Sequence, residues 1–522
     1  VDGEEPIVTP IAPIGAATTT PPPPPPPPPP PAGPGGDAPA ARTRRRRWPW
    51  VVALVVAALV VGAGAVLVVR RSEDSGPTHP DAWDRRVADL ADVVEEARGR
   101  DFTHPVAVHF LSEQKYAERI TAHDEPTKED RKDAARTVAS DRALGLVRGD
   151  VDLFETSDDI GSEGTAAFYD PTTEAIYVNG TDLDVATRVT VVHEMTHALQ
   201  DQIVEADADG GDAGPADDST DAGSAYQSLV EGDATSVEDA YVATLSDDDA
   251  NRYFDSADTS ADRSRAALDE DRVPGAYQAA FALPYALGPP WVDVVVGRDG
   301  PEAIARALVP PPATTASLVD LERDPGDRSS KVTAPTPASG AEVLDRDRYG
   351  PASWIVPLAE YTDGPTAFDA VRGWTGDSVV TSRRGSGPVC VDAAVELTDG
   401  PAAARFEAAS RTWFAALPPA AGATVGRDGD RVTLHTCDPG PDAPVAPTGR
   451  AMDELGHVIA RNQLISELEG GGIGSVEDAA CVADRVLATY GADRILNDED
   501  LAGSDEMTSA FAAAATACGV GG

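Results

Sequence analysis

The chain has 522 residues, of which 88 are acidic and 42 are Lys or Arg, giving a net charge of −46. So acidic a surface repels phosphate backbones and excludes nucleic acid as a partner. With 41% hydrophobic content, the length corresponds to roughly two to four domains with sizeable cores.

Residues 1–47 contain an unbroken proline run at 21–31, which reads as an extended polyproline segment with no core of its own. It is expected to be a disordered Pro/Arg-rich cytoplasmic tail, a spacer more than a ligand for a proline-reading domain. Residues 48–69 then carry no charge, with Arg44, Arg45, Arg46 and Arg47 before them and Arg70 and Arg71 after. As a helix this stretch is about 33 Å long, close to a hydrocarbon thickness of roughly 30 Å. Arginine is richer before the stretch than after it, which keeps the N-terminus in the cytoplasm and exports the rest. A cleaved signal peptide fits less well, because the apolar run exceeds an h-region and lies far from the start. The expectation is a single-pass cell-membrane protein with its globular part extracellular beyond a linker at 70–80.

The exported part opens with helices at 81–98 and 128–146 and a strand at 106–110. A hairpin follows, with AFYD at 167–170 and AIYV at 175–178 around the turn PTTE. Next comes TVVHEMTHAL at 190–199. On a helix, His193 and His197 stand four residues apart and share one face, so both imidazoles can reach one ion, and Glu194 lies beside them. Zinc takes about four ligands; three from protein leave one position for water, whose proton a carboxylate can remove. The competing reading is a buried polar pair within a core. Against it, Val191, Val192, Met195, Thr196, Ala198 and Leu199 are uncharged, as a helix buried on every side but its metal face requires.

A third ligand should follow. SAYQSLVEGDATSVEDAY at 224–241 is a helical pattern with Leu229, Val230, Ala234, Val237 and Ala240 as apolar positions. Glu231 is the expected ligand, Asp233 and Asp239 its weaker rivals. Between the two helices lie Asp207, Asp209, Asp212, Asp217, Asp218 and Asp221 among glycines, which read as a surface loop. Calcium is the cation such carboxylates would take, but the spacing matches no EF-hand, so calcium is the weaker reading.

HEMTHALQDQ at 193–202 and LVEGDA at 229–234 resemble the metal helix and third-ligand helix of the gluzincins, the thermolysin-like superfamily of zinc peptidases. The chain is more closely similar to bacterial membrane-anchored zinc metallopeptidases with an H-E-x-x-H-A-L-Q-D-Q helix. The likeness runs over about residues 82–321 and includes GTAAFYDP at 164–171 and LPYALGPP at 283–290. It implies a zincin-like domain over 81–333, one zinc ion held by His193, His197 and Glu231, Glu194 as general base, and an edge strand that pairs with extended substrate. Two departures stand out. The family has an acidic residue four after the glutamate ligand, orienting a histidine; here that position is Thr235, leaving the partner unassigned. The gap between the helices is also longer. For an oxyanion donor, Tyr285 is the candidate, its alternative being a packed core tyrosine, while His104, His109 and His123 read as structural or exposed.

APTPASG at 334–340 reads as a linker. A module over 341–437 follows, with helices at 352–361, 367–374 and 401–417, strands at 378–382 and 389–397, and a hairpin at 423–426 and 431–437. His435 reads as an ordinary strand side chain. A proline-rich link at 438–449 precedes a helical tail over 450–522, with helices at 451–469, 476–490 and 505–517. Cys390, Cys437, Cys481 and Cys518 lie on the exported side, an even count that implies disulfides. Local pairing is favoured, each bridge contributing roughly 3 to 4 kcal/mol in the chain-entropy account.

The fold class expected is therefore α+β: a zincin-like domain, an α+β module and a disulfide-clipped helical tail behind one membrane helix. The function expected is hydrolysis of peptide bonds in a peptide or protein substrate. The alternatives are a non-catalytic surface scaffold with a structural zinc, and a zinc amidase acting on cell-wall peptide.

Overall fold

The computed structural model describes residues 79–120, 126–156, 166–207, 214–267, 273–498, 500–501 and 503–520. The proline-rich tail, the apolar segment at 48–69, His123, Asp209 and Asp212 lie outside them. The architecture is mixed α+β with two sheets and two disulfides.

The first helix, α1 (Ala88–Arg98), begins later than the pattern at 81–98 suggests and stops at Gly99, whose left-handed φ of 62° lets its N–H reach Glu95 O. Strand β1 (Ala107–Leu111) and helix α2 (Glu113–Ile120) follow, then α3 (Lys128–Leu144), started by a Thr127/Asp130 capping box. Strands β2 (Ala167–Asp170) and β3 (Ala175–Asn179) form the expected hairpin. Because β1 pairs with β3 in parallel, the order is β1-β3-β2 and β2 is an outer strand.

Three long helices carry the centre of the molecule: α4 (Val185–Asp207), α5 (Thr220–Val242) and, after the acid-rich α6 (Asp247–Ala267), α7 (Gly275–Asp299). Among the described residues α7 is the helix long and apolar enough to cross a membrane, yet 72% of its apolar window is buried within the protein, as suits a core helix. Short helices α8 (Ala303–Leu308) and α9 (Ala316–Val319) complete this part.

Beyond the 334–340 segment come β4 (Glu342–Asp347), α10 (Gly350–Tyr361), α11 (Gly364–Val371), β5 (Trp374–Arg383), β6 (Val389–Leu397), α12 (Gly400–Ala416), β7 (Thr424–Asp428) and β8 (Arg431–Cys437). The five strands lie in the order β4-β5-β6-β8-β7. Strand β4 carries no apolar alternation and is mostly exposed, which is why no sequence pattern announces it. Helix α11 starts and ends earlier than 367–374: Asp363 caps its start by accepting from Thr366 N–H, and Trp374 instead opens β5, its indole donating to Asp377 at 2.9 Å. The tail consists of α13 (Ala451–Gly470), α14 (Val476–Tyr490), α15 (Ala492–Asn497) and α16 (Asp505–Cys518). Both disulfides are local: Cys390 with Cys437, directly opposite on β6 and β8, and Cys481 with Cys518.

These parts share one hydrophobic core. The last carbonyls of α3, which its own helix leaves without donors, are satisfied from the five-stranded module. Thr436 donates to Ala143 O at 2.8 Å, Trp413 to Leu144 O at 2.7 Å and Tyr361 to Gly145 O at 2.6 Å. The tail is fastened by Arg461, fully buried, which donates to Asp320, Glu322 and Asp484 at 3.3, 2.6 and 2.7 Å and lies over the Phe368 ring. A buried guanidinium is tolerated only when its donors are answered this completely.

Candidate metal centre

Helix α4 is buried around most of its circumference from Val191 to Gln200, and it presents His193 and His197 with their rings 4.8 Å apart, edge to face. Helix α5 supplies Glu231. Its Oε2 lies 3.4 Å from His193 Nε2 and 3.5 Å from His197 Nε2. Donors about 2.0 to 2.1 Å from a tetrahedral ion stand about 3.4 Å from one another, so these spacings are the edges of such a site. All three atoms are buried without a hydrogen-bond partner. Two imidazole nitrogens and a carboxylate oxygen that converge in a buried space are costly unless a proton or a metal cation joins them. The group of His193, His197 and Glu231 can therefore hold a metal ion.

The rings are set by their other nitrogens. His193 Nδ1 donates to Glu238 Oε2 at 3.1 Å, and His197 Nδ1 to Gln200 Oε1 at 2.9 Å. Gln200 cannot be the other way round, because its amide nitrogen donates to Val230 O and Asp233 Oδ2 at 2.9 and 2.7 Å, both acceptors. Each histidine thus keeps a proton on Nδ1 and turns Nε2 inward as the nitrogen a metal would take, once any proton there has left. Glu238 resolves what Thr235 left open: it stands seven residues after Glu231, two turns on and on the same face, in place of an acid at four. Tyr253 anchors its other oxygen with a 2.7 Å hydrogen bond. We expect Glu238→Gln to weaken metal binding by roughly 10- to 100-fold, in line with losses of carboxylates behind ligating histidines, as read by chelator competition.

Neither rival ligand joins the centre. Asp233 is buried in an ion pair with Arg98, which also donates to Asp233 O at 2.9 Å, and Asp239 is exposed. Ala240, expected on the apolar face, is exposed as well, while Glu231, Asp233, Thr235 and Glu238 are buried: α5 turns its polar side chains inward to serve the site. Three of the acids weighed for calcium have other partners. Asp217 and Asp221 pair with Arg348 at 2.9 and 3.0 Å, and Asp207 with Arg100 at 2.9 Å. Asp221 is not a loop residue but lies buried in the first turn of α5, accepting from Thr315.

Glu194 lies beside the group without joining it. Its Oε2 accepts the Tyr169 N–H of β2 at 2.8 Å, and burial raises its pKa. Burial also works on Glu231, but the close imidazoles of His197 and His193 hold its pKa at about 2. Burial opposes charge on His193 too, yet Glu231 and Glu238 outweigh it and keep the imidazole protonated well above its ordinary range. A metal must displace that proton, whereas Glu231 is already an anion. Affinity is therefore expected to rise with pH between about 6 and 8, by about tenfold per unit for each proton released; competition titrations at several pH values read the slope.

Two tyrosines border the centre. Tyr285, on α7, is buried with its hydroxyl hydrogen-bonded to Glu231, and burial followed by that carboxylate raises its pKa well above the ordinary value. Tyr116, on α2, escaped the sequence reading because nothing in its short amphipathic helix marks it. Its hydroxyl is buried without a partner, and burial, then the nearby charge of Glu194, raises its pKa. Tyr169 is buried with its hydroxyl on Asp201 at 2.8 Å, while Phe168 stacks on Tyr177 at 5.1 Å. His109, exposed, also stacks on Tyr177, and His435 pairs with Asp392 at 2.7 Å.

The approach of α5 to α7 depends on Gly232 and Gly288, where a side chain on either would overlap the other helix's backbone. That contact lets Tyr285 reach Glu231. No protein-family model, curated protein or solved structure matches this chain.

Proposed function

We propose that this chain is a membrane-anchored zinc metallopeptidase of gluzincin type, with a zincin-like catalytic part extracellular and an anchor at 48–69. The observation that carries the reading is the set of three orphaned acceptors on His193, His197 and Glu231 with a separate carboxylate fixed beside them. A site built only to hold a metal has no use for Glu194. Two imidazoles and a carboxylate are a donor set suited to zinc.

When bound, zinc supplies a Lewis acid that lowers the pKa of water to about 7. The remaining work falls to the protein. The Tyr169 amide aims the Glu194 carboxylate, which takes the proton of the attacking water and passes it to the departing amine nitrogen. Burial raises the pKa of Glu194, so the carboxyl can carry that proton between the two events. Tyr285 and Tyr116 bring phenolic donors to the same region, the chemistry an oxyanion requires. A peptide lying as an added strand would dock along the outer edge of β2, where Tyr169 N–H holds Glu194. The net charge of −46 would draw cationic peptides toward it at low salt.

The test is elemental analysis of the full-length protein in detergent, stripped by chelator and reloaded with zinc, together with cleavage of a mixed peptide library. At least about one equivalent and metal-dependent cleavage are expected; less than about a tenth of an equivalent sinks the reading.

A further inference from the structure

We infer that the chain carries a second divalent-metal site, formed by His79, His104 and Glu174, that clips the start of the fold to the β2–β3 turn. One ligand atom from each lies within 4.8 Å of the others. His79 Nε2 and Glu174 Oε2 are 3.5 Å apart, the same separation as His197 and Glu231 in the first site.

Three features set the group apart from a chance cluster. Glu174 has a left-handed backbone, φ 48°, the positive-φ residue other than glycine among those described. That conformation at a hairpin turn favours glycine or asparagine, so a glutamate there is strained. Its side chain is 4% exposed and reaches His79. His104, for its part, is held from both sides. Gln202 accepts from Thr103 N–H at 2.7 Å and donates to His104 O at 3.0 Å, fixing the backbone. His104 Nδ1 lies 3.3 Å from Pro105 O and 3.5 Å from the Gln202 amide nitrogen. With Nδ1 engaged, Nε2 is the nitrogen left for a metal, the same division of labour as at His193 and His197. Finally, the His79 and His104 rings lie side by side, 3.4 Å apart and tilted by 25°.

Two imidazoles and a carboxylate suit zinc or a neighbouring first-row ion better than calcium or magnesium. Because His79 is partly exposed, water completes the coordination. The role is structural: among the described residues the group includes no second carboxylate, and it joins the residue where the described fold begins to the turn of the hairpin that positions Tyr169.

The experiment uses full-length protein, stripped and reloaded with zinc alone, and counts bound metal in the wild type and in His79→Ala, His104→Ala, Glu174→Gln and His193→Ala. About two equivalents are expected in the wild type and about one in each variant, with His193→Ala retaining the clip. His79 is exposed and outside the catalytic group, so its variant should fold and keep its cleavage rate within about twofold. Equal zinc in the wild type, His79→Ala and Glu174→Gln overturns the clip. If the wild type binds one ion that only His79→Ala and Glu174→Gln remove, the clip stands and the catalytic centre fails.

Discussion

Glu194→Gln is expected to lower peptide cleavage by about 10³-fold while the zinc content stays unchanged, the loss typical of removing a general base. The substitution keeps the size of the side chain and an oxygen that can accept the Tyr169 N–H. It removes the one property the mechanism needs, an exchangeable proton on a carboxyl whose pKa burial has raised. Glu194 is not one of the three residues grouped so that they could hold a metal ion, so loading should survive. Retained cleavage with full zinc would exclude Glu194 as the base. Loss of cleavage together with zinc would instead mean that Glu194 helps to form the metal centre.

Gly288→Ala is expected to cost about 3 kcal/mol or more, the upper range of overpacking, and to disturb the site although the residue touches no metal ligand side chain. The added Cβ would overlap the Ser228 carbonyl and stand 2.8 Å from Gly232 Cα. Both neighbours are backbone inside a buried helix, so neither can turn away, and α5 must separate from α7. Tyr285 then loses Glu231, and Glu231 shifts from the two histidines. Thermal unfolding would read the first effect and zinc affinity the second. A variant with wild-type stability and affinity would show that the helix crossing is more yielding than its contacts imply.

The metal helix was legible because its chemistry and its burial follow the same short period. His193 and His197 share a face by helix geometry alone, and the uncharged residues around them mark a helix enclosed by protein. Glu231 was legible for a related reason, since an acid within an apolar helical pattern needs a purpose. Glu238 was not, because its value depends on the distance between α4 and α5. A glutamate two turns from Glu231 looks solvated until His193 is found 3.1 Å away. Tyr116 and the cluster of His79, His104 and Glu174 were hidden in the same way.

The sequence by itself determined the local matters: the positions of most helices and strands, the pairing of nearby cysteines, and three side chains whose spacing and surroundings suit a metal. Only the tertiary structure decided which acid orients which histidine, that Asp221 is buried against Arg348 and Thr315, and that two glycines let Tyr285 meet Glu231. The physical reason is range. Periodicity and capping act over a few residues and are written in consecutive letters, whereas burial and coordination depend on groups brought together from tens or hundreds of residues apart.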